Sequence, residues 1–286
     1  MSARFFCVVM TAVAAISGAC GSARANLIFD AGVTNVIATN FDDHNPVNIV
    51  LPSTFTLFGV SQSQIRVGSN GAFGIPSGLN GTQYDSSQNP WHNTGAGKPI
   101  IAPLWDDLNS GPGGLVSGVS KIGATTFSNS FSITAPNSFS YGGGNSTAGG
   151  TIGYQVSLFT GPETVTLTNG NMFNFLAGDI AFSYQNNTLS AFAGGSAAVG
   201  ITDGAGIFVG MPGSVAGVLS TANRGLLPTG ESFVLFRSNG AGSYNASIAS
   251  FASSSTASVP EPASVAILSL LGLAATARRS SRCRVN

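Results

Sequence analysis

The sequence predicts an all-β protein, a β-sandwich of jelly-roll-like build held between two removable ends. Three observations predict it. Apolar and polar residues alternate in short runs, and glycine, serine, threonine and asparagine punctuate those runs. No stretch between Asn26 and Val259 sustains a helical period. Period two sends successive side chains to opposite faces of a strand, so each run marks one face for burial.

The N-terminal end carries an export pattern. Arg4 supplies a positive region, Phe5 to Ile16 is an apolar run of twelve residues, and Ala23-Arg24-Ala25 has the small-x-small form of a cleavage site. Residues 1–25 are therefore expected to be a cleavable signal helix, with cleavage between Ala25 and Asn26. Cys20 opens a lipoprotein alternative, but Ser17 stands three positions before it, where a lipobox usually has leucine.

Removing the ends changes the charge. The whole chain is formally neutral, whereas Asn26 to Val259 holds five basic and ten acidic residues, a formal charge of −5. An acidic body with no basic cluster argues against a nucleic-acid partner. All three cysteines, Cys7, Cys20 and Cys283, fall in the ends, so the body must be held by its core rather than by disulfides.

Residues 26–237 are expected to form one all-β extracellular domain, since single sandwiches and barrels reach about 200–250 residues. Phe55 and Leu57 alternate with threonines, and Ile65 and Val67 with Gln64 and Arg66. Asn70-Gly71 then precedes Phe73 and Ile75, a hairpin signal because that pair tolerates the positive φ of a tight turn. Pro99 to Trp105 is denser in apolar residues, as a strand covered on both faces would be. Ile152, Tyr154, Val156 and Leu158 predict a further strand, followed by Val165 and Leu167, Ile180 to Tyr184, Val199 and Ile201, and Phe233 and Leu235. Glycine loops are expected at Gly111 to Gly118 and Tyr141 to Gly150. Residues 238–258 carry no charge and are rich in serine and alanine, the composition of a flexible linker.

Residues 259–286 close the chain. Pro260-Glu261-Pro262 is stiff, because each proline fixes φ and pushes its predecessor to an extended conformation. Fifteen uncharged residues follow, Ala263 to Ala277, and then Arg278, Arg279, Arg282 and Arg284. As a helix the uncharged run spans about 22 Å, short of the roughly 30 Å of a bilayer core. Its six strongly apolar side chains offer roughly −2 to −4 kcal/mol of insertion free energy, which one buried arginine would largely cancel. The segment suits transient insertion and cleavage better than permanent spanning, although an ordinary single-pass anchor has the same outline. The order of the three parts closely resembles the PEP-CTERM sorting signal. That resemblance implies an exosortase-type membrane processing enzyme as partner, export to the cell envelope or beyond, and association with extracellular polysaccharide.

Three stretches of the body, Phe55-Thr56-Leu57-Phe58-Gly59, Ile65 to Phe73 and Pro99 to Leu108, occur in an order similar to that of nidogen-like extracellular β domains. Tyr154 to Leu158, Gly178 to Tyr184 and Ala198 to Ile201 resemble their later strands. The resemblance implies an interaction or matrix module rather than a catalyst.

Candidate chemistry is sparse. Asp106, Asp107 and Asn109 offer oxygen ligands for Ca²⁺ at a strand end, or else local hydrogen bonds at a strand terminus. His44 and His92 are the only histidines, too few for a zinc site in a body without cysteine. Trp91 sits in a loop, where it can stack on a sugar or lie over the core, and Trp105 is expected in the core. No Gly-x-Ser-x-Gly elbow occurs, and the glycine loops lack the lysine of a phosphate-binding loop. No cofactor is called for. The expected function is an exported surface or matrix protein without catalysis. A secreted carbohydrate-active hydrolase and a Ca²⁺- or glycan-binding adhesin remain open.

Overall fold

A computed structural model of the chain describes residues 27–29, 35–38, 46–74, 99–109, 114–140, 150–185, 187–192, 195–240 and 242–253. The strands in order are β1 (Asn35–Ala38), β2 (Val47–Leu57), β3 (Val60–Val67), β4 (Phe73–Gly74), β5 (Ile100–Trp105), β6 (Leu108–Asn109), β7 (Leu115–Ile122), β8 (Thr125–Ser140) and β9 (Ile152–Phe159). They continue with β10 (Glu163–Thr166), β11 (Asn171–Phe175), β12 (Ile180–Gln185), β13 (Ser196–Thr202), β14 (Phe208–Gly210), β15 (Val218–Ser220), β16 (Ser232–Ser238), β17 (Tyr244–Ser250) and β18 (Ala252–Ser253).

These strands build three antiparallel sheets. An eight-stranded sheet has the order β1-β7-β8-β9-β12-β16-β17, with β6 added on β8. A seven-stranded sheet runs β14-β13-β5-β4-β3-β2, with β15 added on β13. The main core lies between them: Phe55, Leu57, Ile65, Phe73, Ile101 and Leu104 from the second sheet meet Ile133, Tyr154, Val156, Leu158, Phe182 and Phe236 from the first. Each such side chain contributes about 1.5–3 kcal/mol on full burial. The sandwich expected from the alternation is the fold observed.

The third sheet, β10-β11-β18, lies against the outside of the eight-stranded one. It explains why β9 is buried at every position, although its residues alternate between two sheet faces. Phe159, Phe175, Phe233 and Phe251 form a second core there, with Phe159 and Phe175 stacked 3.9 Å apart between ring centroids. Arg237 on β16 reaches across to the fully buried Asp179, with its Nη2 2.8 Å from the carboxylate, and donates also to Asn174 O at 3.0 Å.

The Asn-Gly signal marks a real hairpin. β3 and β4 pair through Val67 and Phe73, but the loop is five residues wide, closed by Gly68 N–H donating to Ala72 O at 3.0 Å. Gly71 is required there: its φ is +69°, and a Cβ would stand 2.0 Å from Leu104 O.

Two expectations are corrected. The stretch read as a linker over 238–258 contains β17 and β18, so the domain runs past Arg237 to at least Ser253. Tyr244, Ala246 and Ile248 alternate with small polar or apolar residues there, and all seven residues of β17 pair with β16 in one register. The glycine loop expected over Gly111 to Gly118 gives way to β7 from Leu115 onward, where Gly118 pairs with Ser132. The expected signal helix and C-terminal helix both lie outside the described residues. Among the described residues no helix is long and apolar enough to cross a membrane.

Candidate functional site

Two polar regions stand out against the cores. The first is the corner where β5 turns into β6. β5 ends at Trp105, which packs with Ala72, Ile100, Ala102 and Ala198 and is buried as expected. The chain then turns through Asp106 and Asp107. The β3–β4 loop braces this turn, because Asp106 N–H donates to Asn70 O at 3.3 Å and Leu108 N–H to Asn70 Oδ1 at 3.1 Å. The structure thus brings Asp106, Asp107 and Asn109 to one corner, with Asp106 fully buried and the other two half-buried. Asn70 serves there as an internal cap for a neighbouring turn, a role of the kind asparagine side chains fill in turns. Among the described residues no group of three or more His, Cys, Asp or Glu side chains could hold a metal ion.

The second region is the outer face of the eight-stranded sheet. Strands β7, β8 and β9 turn their inner face to the main core and place hydroxyls on the outer one. Ser120 Oγ lies 2.7 Å from Ser132 Oγ, which lies 3.0 Å from Ser157 Oγ, so hydrogen bonds step across three neighbouring strands. One rung along, Gln155 Nε2 donates to Thr134 Oγ1 at 2.7 Å. The same amide grips the N-terminal segment: Phe29 N–H donates to Gln155 Oε1 at 3.1 Å, and Gln155 Nε2 donates to Phe29 O at 3.2 Å. A fully buried glutamine thus satisfies both backbone groups of one residue, as a neighbouring strand would. Ile28 and Phe29 then enter the second core, where Phe29 meets Phe127 edge-on at 5.7 Å.

A family model described as NIDO related matches residues 22–168, just over half of the chain. The chain belongs to the NIDO-related family. No curated protein and no solved structure matches it. Membership fits an extracellular protein, in line with the nidogen-like resemblance of the three stretches of residues 55–108. The NIDO-related segment contains β1 to β10, the acidic corner, the hydroxyl steps and the Gln155 cradle. The strands that complete both sheets, β12 to β17, follow it in the chain.

Placed against the sequence expectations, the corner residues are gathered and the terminal ones lie outside the described residues. Ala23, Ala25 and Asn26 of the cleavage site, and Pro260, Glu261, Pro262, Arg278 and Arg279 of the sorting signal, all belong to that second group, as do His44, Trp91 and His92. Sequence reasoning missed Gln155 because a polar residue in an alternating run reads as a solvent-facing position. Its only distinguishing signal is that both neighbours on its face, Gly153 and Ser157, are small enough to let a backbone approach. It missed Asp179 and Arg237 as well, which lie 58 residues apart.

Titratable groups on the main-core side are tyrosines. Tyr184 donates from its hydroxyl to Pro103 O at 2.6 Å, and Tyr244 to Thr56 O at 3.1 Å. Burial holds Tyr154 and Tyr184 in the neutral form well above the ordinary phenol range. It pushes Tyr244 up to about 12, against a smaller opposing effect of a backbone hydrogen bond. The Tyr184 and Tyr244 hydroxyls fasten the two sheets to each other.

Proposed function

We propose that the protein is an exported, non-enzymatic surface or matrix component whose β domain is an interaction module. Its C-terminal segment is an address read by a membrane processing enzyme, and extracellular polysaccharide is its surrounding. Membership of the NIDO-related family carries this reading, because it fits a domain that works outside the cell. The polar groups of the described domain support it too. Ser120, Ser132 and Ser157 of the outer face hydrogen-bond to one another, and Gln155 is committed to Thr134 and Phe29. The acidic corner is braced by Asn70. Such groups stabilise a scaffold.

The test is mass spectrometry of the protein recovered from its producing cells. The expected result is a chain that starts at Asn26 and ends upstream of the arginine cluster. A surface protein intact through Asn286 rejects the sorting claim and leaves a simple anchor in its place.

A further inference from the structure

The two sheets have edge strands of very different character. At the edge of the seven-stranded sheet, β2 carries Pro52 and a wide bulge: four residues, 51–54, face a single one on β3 between the pairs Val50↔Gln64 and Phe55↔Gln62. Ser53 Oγ within that bulge donates to Thr160 Oγ1 at 2.9 Å, which ties it to the other sheet. Proline and bulges are the usual guards against edge-to-edge pairing.

At the edge of the eight-stranded sheet, β17 has neither. It keeps one register with β16 over seven pairs, from Tyr244 to Ser250, and contains no proline and no charge. Among the described residues no strand pairs with its other side.

The hydrogen-bond phase of that edge follows from its two ends. Phe251 N–H donates to Glu231 O and Asn239 N–H donates to Ser243 O, each at 3.1 Å. Bonded pairs in an antiparallel ladder alternate. Residues 245, 247 and 249 therefore bond inward to β16, and Tyr244, Ala246, Ile248 and Ser250 direct N–H and C=O outward. Ile248 pairs with Val234 of the main core, so its side chain points to the core side of the sheet, yet it is 45 % exposed. An apolar side chain lies bare because the sheet stops beside it.

We propose that β17 is a self-pairing edge, and that a second copy of this chain adds its own β17 antiparallel about a two-fold axis at Ser247. The phase admits this register, since Ala246 pairs with Ile248 of the second copy and Tyr244 with its Ser250, each pair exchanging both backbone bonds. Side chains match as well. Tyrosine faces serine, isoleucine faces alanine, asparagine faces alanine, and the two Ser247 residues meet at the axis. Every large residue meets a small one, no like charges meet, and the bare Ile248 is covered by its neighbour copy. Isologous pairing of this kind is the commonest form of protein dimer.

The test uses the protein expressed from its full reading frame and recovered after export, followed by analytical ultracentrifugation across micromolar concentrations. A dimer is expected. Ser247→Lys places two ammonium groups directly opposite each other across the axis, a destabilising cross-strand pair, and is expected to give monomers at every concentration. Ala246→Pro removes an outward N–H that β16 does not use, a position where proline is tolerated. It is expected to give monomers that melt at the temperature of the wild type diluted until it is monomeric, which separates loss of pairing from loss of fold. A wild-type monomer overturns the proposal. So does a dimer that survives both substitutions, which would place the contact elsewhere in the chain.

Discussion

The two faces of the eight-stranded sheet are built on different principles. The inner face is a continuous apolar layer met by a whole second sheet, and the polar atoms on it are mostly phenolic hydroxyls. The outer face is divided. One part is a phenylalanine cluster under the three-stranded sheet, and the other is a set of hydroxyls and one amide crossed by residues 28–29. The first face is stabilised by area and the second by fit between small pieces. The lesson is that a sheet buried on both sides need not be buried twice in the same way, and its two faces should fail differently.

The largest contrast comes from removing one ring on each side. Phe182→Ala on the inner face is expected to cost about 3–5 kcal/mol in urea unfolding. Phe175→Ala in the outer cluster should fall at the lower end of that range or below it, because a short three-stranded sheet can settle into the gap. Equal losses would mean that the two cores act as one, and the distinction would be lost.

A smaller effect sharpens the comparison by pH. The tyrosines Tyr154, Tyr184 and Tyr244 belong to the inner core, and none belongs to the outer cluster. A tyrosine whose folded pKa is raised supports the fold fully below the unfolded value near 10 and loses that support as pH rises through its folded value. For Tyr244, the rise from 10 to about 12 corresponds to roughly 2–3 kcal/mol. Urea midpoints measured from pH 9 upward should therefore hold to about pH 10 and then fall, in step with the appearance of phenolate absorbance. Tyr244→Phe removes the ionising group and should flatten part of that fall.

The smallest change is Gln155→Met, close to isosteric but unable to hold Phe29. It leaves two backbone groups without their partner, at about 1–3 kcal/mol each if they stay buried and less if residues 27–29 fray into water. Most of the loss should be local: hydrogen exchange at the Phe29 amide should quicken several-fold while exchange in β12 stays slow. Uniform acceleration would show that residues 27–29 are part of the global unit.

The legible part of this fold was the part with strong amplitude. Ile152 to Leu158 and Ile180 to Tyr184 alternate cleanly, and Pro99 to Trp105 is apolar enough to reveal a doubly covered strand; all three form as expected. β8 was harder, because Phe127, Phe131 and Ile133 are diluted by serine and threonine, residues that also punctuate loops. Ser132 sits in strand with hydroxyl partners on the two adjacent strands, Ser120 of β7 and Ser157 of β9, which local sequence does not display. β17 was hidden in the same way, since Tyr-Asn-Ala-Ser-Ile-Ala-Ser has the composition of a linker and becomes a strand only beside β16. At the candidate site, Asp106, Asp107 and Asn109 were visible as adjacent oxygen donors. Their commitment to the corner depends on Asn70, 36 positions before Asp106 and brought near by the β3–β4 loop. Asp179 and Arg237 needed the folded sheets to find each other.

The chain leaves the described domain through β18, whose whole attachment is two rungs, Asn171↔Ser253 and Met172↔Ala252. Beneath those rungs sits Phe251, in the same cluster that receives Phe29. A load applied from the C-terminal side would meet this weak latch first and peel it, one rung at a time. The seven-rung β17 would then have to yield before the main core felt the pull. Pulled from that end, the latch would give a short length of slack before the bulk of the sandwich bore the force.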